Sequence, residues 1–194
     1  SEGIITGAWA LGAGSSLDVS NGTFISGNAS VGGLTADRVD TRFISSGGTS
    51  ITGQIEGDWS LTSGSILRAT YADIAEKYSS DVDYEPGTVV VFGGNAEVTI
   101  SDEIESTKVA GVVTTNPAQI LNDSLENSVA IALVGRVPCK VVGKIKKGDL
   151  LVTSHIIGAA TATHSPKPGT FIGRALADYN SDNIGTIEVM VFRG

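Results

Sequence analysis

The stretch VAIALVGRVPCKVV, residues 129–142, is the longest of several apolar segments in a chain of 194 residues. It is rich in valine and other aliphatic residues, a composition typical of a strand inside a β domain. Turn residues separate it from five shorter segments of the same kind, so residues 68–194 are predicted to form a compact β-barrel or β-sandwich. The five segments are TVVVF (88–92), VAGVV (109–113), DLLVTS (149–154), TFIGRALA (170–177) and GTIEVMVF (185–192).

The apolar segments carry two recurring glycine patterns. EPGTVVVF, KKGDLLVT and KPGTFIGR each place a Pro-Gly pair or a charged Lys-Gly pair close before an apolar run, which predicts a turn that leads into a strand. VAGVV, LVGRV and FIGRA each place a glycine after two apolar residues, which predicts a bulge or bend within a strand. The one helical candidate is YADIAEKY (71–78), which could equally be an irregular strand.

Residues 1–67 have a different composition. They contain 13 of the 25 glycines and none of the five prolines, and their apolar residues occur singly with no sustained helical spacing. The phrase GAWALGAGSSL (7–17) recurs as GDWSLTSGSIL (57–67), with six of eleven positions identical, and the two copies contain both tryptophans of the chain. Such a segment could be disordered, but the repeated phrase favours short strands that are buried between chains.

A tryptophan and a leucine two residues apart in a strand point to the same face, which a single chain of this composition can hardly cover. In a parallel bundle of identical chains these side chains can pack against their symmetry mates, and the glycines permit close approach of the backbones. We therefore expect residues 1–67 to form an intertwined, oligomeric β-shaft. The side chains expected at its core are Trp9, Leu11, Leu17, Trp59, Leu61 and Leu67.

Charge and cysteine content exclude several classes of function. The formal net charge of −8 argues against binding to nucleic acid or to anionic lipid, and no apolar run is long enough for insertion into a membrane. Cys139 is the single cysteine, so no intrachain disulfide forms; its apolar surroundings favour a buried structural thiol over a nucleophile. His155 and His164 lack the spacing of metal ligands and are interpreted as surface or loop residues.

Five basic residues occur in one stretch with no acidic residue between them: Arg136, Lys140, Lys144, Lys146 and Lys147. On an acidic protein they form a local positive run. It could be the solvated edge of a hairpin, where lysines discourage edge-to-edge pairing. It could alternatively contact an anionic surface glycan or an acidic neighbouring subunit.

No motif for catalysis or for a cofactor is present. The glycine-rich stretches match neither a phosphate-binding loop nor a nucleophile elbow, and we predict no cofactor, no metal and no catalytic residue. The acidic clusters at residues 73–85 and 101–105 are interpreted as solvated turn acids, because their spacing does not match a calcium loop. Aromatic residues amount to only 6%, which argues against a large sugar-cleaving groove.

The segment YADIAEKYSSDVDYEPGTVVVF, followed by VAGVVTTNPA, ALVGRVPCKVVGKIKKGDLLVTS and IGRAL, resembles the C-terminal region of tail-fibre and other structural proteins of tailed bacteriophages, those of T4-like marine phages in particular. ADRVDTRFISSGG and the two tryptophan phrases resemble the shaft repeats of the same proteins. The resemblance implies a homotrimeric virion appendage in which a β-shaft carries a globular tip. It implies attachment to a glycan or protein of the host surface, with other tail proteins as upstream partners.

The start of the same region is also similar to the peptidase G2 family, the autocleaving chaperone domains of phage appendages. That similarity leaves open a second function, an intramolecular chaperone that cleaves itself. A third is a purely structural connector or decoration protein. For host attachment, the candidate receptor loops are residues 114–127 and 155–168, which are polar and between apolar segments.

Overall fold

All regular structure in the described part of the chain is β-structure. The computed structural model describes Leu61 and residues 63–192, which contain ten strands and no helix, so no helix there is long and apolar enough to cross a membrane. The all-β prediction is confirmed. The strands are β1 Asp73–Ser79, β2 Val89–Phe92, β3 Val98–Ile100, β4 Val109–Val112, β5 Gln119–Leu121, β6 Ser128–Ile145, β7 Leu150–Thr153, β8 Ala160–Thr163, β9 Phe171–Ala175 and β10 Tyr179–Val191.

Five of these strands close into a barrel. The order of pairing is β6-β10-β9-β7-β8, and β8 returns to β6 through a parallel bridge between Val141 and Ala160. Of the two architectures expected from the sequence, the barrel is therefore the one that forms. Its interior is filled mainly by small aliphatic side chains. The buried members of this core are Val89, Val112, Ala132, Val137, Cys139, Val141, Ile145, Leu151, Ala160, Ile172, Ala175, Ile187, Val189 and Val191.

Strand β6 extends beyond the barrel and carries a second group of strands. Its first half pairs antiparallel with β1, and β1 pairs in parallel with β5. A separate antiparallel sheet, in the order β3-β2-β4, joins this region through isolated bridges at Ser80 and Val113. Between them lies a smaller core, against which Tyr78 and Tyr84 pack. Its buried members are Val90, Val98, Ala110, Val113, Val129 and Ile131.

The three predicted turns have one conformation. Gly87, Gly148 and Gly169 have φ angles of 86°, 97° and 79°, values that favour glycine. In each turn the residue after the glycine donates its backbone N–H to the carbonyl three positions earlier, as in Asp149 to Lys146 at 2.9 Å. A glycine with positive φ at the third position of a four-residue turn defines type II geometry. The recurring glycine pattern therefore corresponds to the same type of turn ahead of β2, β7 and β9.

Gly111 and Gly173 lie beside bulges, as predicted, and Gly135 lies two residues from the unpaired residue of a third bulge. At each bulge one residue faces two residues of the neighbouring strand. Val90 faces the strand that contains Gly111, Ala75 the strand that contains Gly135, and Val152 the strand that contains Gly173. At each glycine a side chain would collide with the neighbouring strand. A Cβ atom on Gly173 would overlap the carbonyl oxygen of Met190 and lie 3.0 Å from the Cα of Val191. Close packing of strands around the barrel requires glycine at these positions.

Other details of the sequence interpretation need correction or refinement. The helical candidate at residues 71–78 is strand β1, the alternative that the sequence left open. Strands β3, β5 and β8 were not among the predicted segments, and β10 begins at Tyr179, six residues before the predicted segment. The β5 and β8 strands lie inside the two segments interpreted as loops, 114–127 and 155–168. The division of the chain at residue 67 stays a prediction.

We predict that Gly173→Ala lowers the free energy of unfolding by about 3 kcal/mol, because its methyl group collides with the backbone of β10. Gly169→Ala is the matched control, since a Cβ there meets nothing within 4 Å and only its φ of 79° is unfavourable. We expect the control to cost roughly 1 kcal/mol. Urea unfolding at one fixed chain concentration measures both; an equal or smaller loss at Gly173 would contradict the close approach.

Candidate interaction surfaces

The predicted shaft residues lie at the margin of the described structure or beyond it. Trp9, Leu11, Leu17 and Trp59 are outside the described residues, and their place in a shaft core stays a prediction. Leu61 and Leu67 are described, and both are exposed to solvent within a single chain. Residues 63–72 are exposed throughout, so the segment that leads into the barrel domain is not covered by that domain.

The leading segment is hydrogen-bonded to β6 where it enters the barrel domain. The backbone N–H of Arg136 donates a hydrogen bond of 3.1 Å to the carbonyl oxygen of Ala72. Gly135 makes this possible, because a Cβ atom at that position would overlap the Ala72 carbonyl oxygen and lie 2.6 Å from the Cα of Asp73. The glycine in LVGRV therefore determines where the chain enters the domain.

Exposed apolar side chains surround this entry point. Tyr71 is 56% exposed, Val134 is 48% exposed and Met190 is 42% exposed; Ile74 is also exposed. Ile74 is paired with Val134 across β1 and β6, and Met190 is paired across β6 and β10 with Arg136, two residues beyond Val134. We call Tyr71, Ile74, Val134 and Met190 the entry patch. Four large apolar side chains left in water around one point indicate an interaction surface.

The five basic residues of the predicted cationic run do not form one cluster of free charges. Lys140 forms an ion pair of 2.9 Å with Glu85 and also donates to the hydroxyl of Thr88 at 3.1 Å. The Lys140 ammonium lowers the pKa of Glu85 through this hydrogen bond and through charge attraction. Lys140 thereby connects β6 to the turn before β2.

Lys146 is paired in the same way at the other end of β6. Its ammonium lies 2.7 Å from a carboxylate oxygen of Asp178, which raises the pKa of Lys146 and lowers the pKa of Asp178. The second oxygen of Asp178 accepts the backbone N–H of Lys147 at 2.8 Å. Two of the five cations are thus neutralised by acids that are distant in sequence, and the hairpin between β6 and β7 is fixed to the start of β10.

Arg136, Lys144 and the Lys147 side chain have no ion pair among the described residues. Arg136 and Lys144 are eight residues apart on β6, a separation of about 26 Å in an extended strand. They cannot contact one small anion together. Binding of an anionic glycan or an acidic subunit at these residues stays a prediction. A ligand that contacts both Arg136 and Lys144 would have to be extended.

A polar cleft lies at the other end of β1. It has a volume of about 560 Å³ and opens between the loop that follows β1 and the residues that precede β6. We call it the polar cleft. Its lining residues are Lys77, Ser80, Asp81, Val82, Asp83, Leu125, Asn127 and Ser128.

Hydrogen bonds hold one carboxylate of the polar cleft in place. Asp81 accepts a hydrogen bond of 2.5 Å from the Tyr84 hydroxyl and one of 2.8 Å from the Thr99 hydroxyl. These bonds stabilise the ionised carboxylate and lower the pKa of Asp81. The pKa of Tyr84 is raised, mainly by burial and secondly by its hydrogen bond to Asp81. The Tyr84 hydroxyl oxygen also accepts a hydrogen bond of 3.0 Å from the backbone N–H of Ile100.

The opposite wall of the polar cleft is also held in place by local contacts. The Lys77 ammonium forms an ion pair of 3.0 Å with Asp123, and the Asn122 side chain donates to the Lys77 carbonyl at 3.2 Å. The Asn127 carbonyl accepts the backbone N–H of Ser80 at 3.0 Å. Asn122 and Asn127 both have positive φ, 54° and 48°, a conformation that asparagine adopts more readily than most residues. The cleft is therefore shaped before any ligand arrives.

Two interpretations of single residues are confirmed. Cys139 is fully buried in the barrel core, and burial raises the pKa of its thiol to about 12, so it remains protonated and unreactive at neutral pH. His155 and His164 are both exposed. Within Leu61 and residues 63–192, no group of three or more His, Cys, Asp or Glu side chains is arranged to hold a metal ion.

The sequence pointed to individual residues of the polar cleft but did not predict that they line one cavity. Asp81 and Asp83 were interpreted as solvated turn acids, and Asn127 ends one of the two candidate receptor loops. Nothing in their spacing indicated that they meet, because their contact depends on the pairing of β1 with β6. The entry patch was missed for the same reason, since Ile74, Val134 and Met190 come from three strands.

We predict that Tyr84→Phe raises the pKa of Asp81 towards its ordinary value of 3.8, because one of two donors to the carboxylate is lost. A carboxylate with a lowered pKa stabilises the fold above pH 4 or so and loses that contribution as the pH falls through its folded-state pKa. Between roughly pH 4 and pH 2, the free energy of unfolding of the variant should therefore fall less than that of the unmodified protein. Carboxyl NMR titration measures the pKa, with Tyr71→Phe as the control; an unchanged Asp81 in Tyr84→Phe would refute this account.

The chain was also compared with known proteins. No protein-family model and no curated protein matches it. The proposal for its function therefore rests on the entry patch, the polar cleft and the resemblance of residues 71–92 and the segments after them to phage appendage proteins.

Proposed function

We propose that this chain is part of a homotrimeric tail fibre, or of a related virion appendage, of a tailed bacteriophage. In this proposal residues 1–67 form the shaft, and residues 68–194 form a tip that attaches the particle to a glycan or protein on the host surface without covalent chemistry. Upstream tail proteins would hold the shaft. The resemblance of the sequence to such proteins supplies the identity and the number of chains.

The observation that carries the proposal is the entry patch. The barrel already has a complete apolar core of its own, so Tyr71, Ile74, Val134 and Met190 contribute nothing to it. Leu61 and Leu67, on the segment that leads to the patch, are exposed as well. Apolar side chains in such a position are buried favourably by another copy of the same surface.

The place of the patch favours parallel assembly of identical chains. It surrounds the point where residues 63–72 join the barrel domain, so chains that run side by side in a shaft bring their entry patches together at its end. The same arrangement buries the shaft leucines and the patch in one continuous interface. A closed three-fold arrangement leaves no patch exposed.

Attachment is supported by the position of the polar cleft. Strand β1 begins at Asp73 beside the entry patch and ends at Ser79 beside the cleft. Six residue steps in a strand span about 20 Å, so the cleft lies well away from the surface assigned to assembly. Three chains in parallel would present three clefts to one cell surface, and weak individual contacts would add through avidity.

We predict that Met190→Glu weakens the trimer, because it places a charge in the proposed interface. The matched control is Ile184→Glu, since Ile184 is 51% exposed on the same strand but six residues distant. Sedimentation should give about three times the chain mass of 19.8 kDa for the unmodified protein and for the control. The dissociation constant of the trimer should rise by about tenfold or more in Met190→Glu. If the unmodified chain is monomeric, the proposed assembly is ruled out.

We predict that the labelled trimer adsorbs to bacterial strains that the virus infects. Adsorption of Met190→Glu at concentrations where it is monomeric should fall by roughly 100-fold or more, because the avidity of three sites is lost. Flow cytometry of cells mixed with fluorescent protein measures this, and strains that resist the virus are the control. An intact trimer that binds none of the susceptible strains would refute attachment and favour a structural connector.

A further inference from the structure

We propose that the polar cleft binds a neutral sugar residue of a cell-surface polysaccharide and discriminates against acidic sugars. This inference rests on the proposed function, since it assigns the ligand of host attachment. It begins from the cavity: a volume of about 560 Å³ is within the range of roughly 300–1,000 Å³ that small-ligand sites occupy.

The hydrogen-bonding groups of the cleft suit a polyhydroxylated ligand. Asp81 and Asp83 supply carboxylate oxygens that accept O–H donors, and the Asn127 amide can both donate and accept. Hydrogen bonds from a neutral hydroxyl to a carboxylate are about twice as strong as bonds between neutral groups. Ser80 and Ser128 add hydroxyl groups to the lining, so a sugar ring can find further partners there.

The cleft also has an apolar part. Val82 lies between the two aspartates and is exposed, and Leu125 lies on the facing loop. A pyranose ring has C–H groups on its faces and hydroxyls around its edge. Carboxylates beside an exposed aliphatic side chain match this pattern, whereas a small inorganic cation would use the carboxylates alone.

Charge determines which sugars the cleft accepts. The one cation in its lining, Lys77, is paired with Asp123, while neither Asp81 nor Asp83 has an ion pair among the described residues. A uronic acid or a sulfated sugar would bring a like charge to these carboxylates, which costs binding free energy. A neutral sugar meets no such repulsion.

Two of the groups that line the cleft, the Asp81 carboxylate and the backbone at Asn127, are held in place beforehand. Tyr84 and Thr99 fix the Asp81 carboxylate, and the hydrogen bond from Ser80 fixes the backbone at Asn127. A ligand therefore loses little of its binding free energy to ordering the protein. This matters for a neutral sugar, because it forms no ion pair with the protein and the trimer provides only three sites.

The test uses the intact trimeric chain on an array of immobilised oligosaccharides. The neutral set consists of glucose, galactose and N-acetylglucosamine oligomers, and the acidic set contains glucuronic or galacturonic acid at matched length. We expect binding to members of the neutral set and at least tenfold weaker binding to their acidic counterparts. Binding to no neutral oligomer, or equal binding to acidic ones, overturns the proposal.

Two substitutions locate the binding in the cleft. Asp83→Ala should weaken binding to neutral oligomers at least tenfold, because an acceptor is lost. Asp83→Asn should keep much of that binding and improve binding of acidic oligomers, a change in selectivity that damage to the fold would not produce. Glu103→Gln is the matched control, since Glu103 is exposed and outside the cleft; a loss in the control equal to that of Asp83→Ala also overturns the proposal.

Adsorption to cells separates this proposal from the proposed function. If Asp83→Ala adsorbs to susceptible cells as well as the unmodified trimer does, the cleft is not the receptor site, although attachment stands. If the unmodified trimer adsorbs to no susceptible cell but binds neutral oligomers in an Asp83-dependent way, the cleft binds sugar and attachment fails.

Discussion

The change of partner at Gly135 of β6 is the constraint on which the rest of the structure depends. Gly135 lies opposite Asp73 of β1 and also opposite Val191 of β10, where β6 passes from its pairing with β1 into the barrel. No side chain fits there, because the leading segment at Ala72 occupies its space. One residue without a side chain thus sets the path of the longest strand, the entry of the chain and the position of the entry patch.

The parts of the fold that were predictable are those in which local composition and final environment agree. Strands β2, β4, β6, β7 and β9 are rich in valine, isoleucine or leucine. A glycine in the sequence predicts the turn before β2, β7 and β9. The short strands VTI, QIL and ATAT have too few residues to show a pattern. The polar start of β10 is a strand only because β6 pairs with it, as Asn180 does with Lys144.

The candidate sites were less predictable because long-range pairing creates them. Asp81 and Asn127 are distant in sequence and meet only because β1 lies beside β6. The basic run shows the reverse case: Arg136, Lys140 and Lys144 are close in sequence but are spread along the extended strand β6. The acids that pair with Lys140 and Lys146 come from distant parts of the sequence. Lys140 meets Glu85 from 55 residues away, a contact that no local pattern indicates.

The placement of charge gives the domain two surfaces of different character. Lys140 on β6 and Lys146 just after it form ion pairs that fix loops to the barrel. The carboxylates of Asp81 and Asp83, just beyond β1, form no ion pair among the described residues. The entry patch is at one end of β1 and the polar cleft at the other. Because β1 separates them, a parallel assembly that buried the first surface would leave the second away from the interface. In the proposed trimer, three copies joined at their entry patches would present three clefts in a fixed relation, so the geometry would couple assembly to binding. A cell surface that repeats the same sugar can then be held by sites that are individually weak.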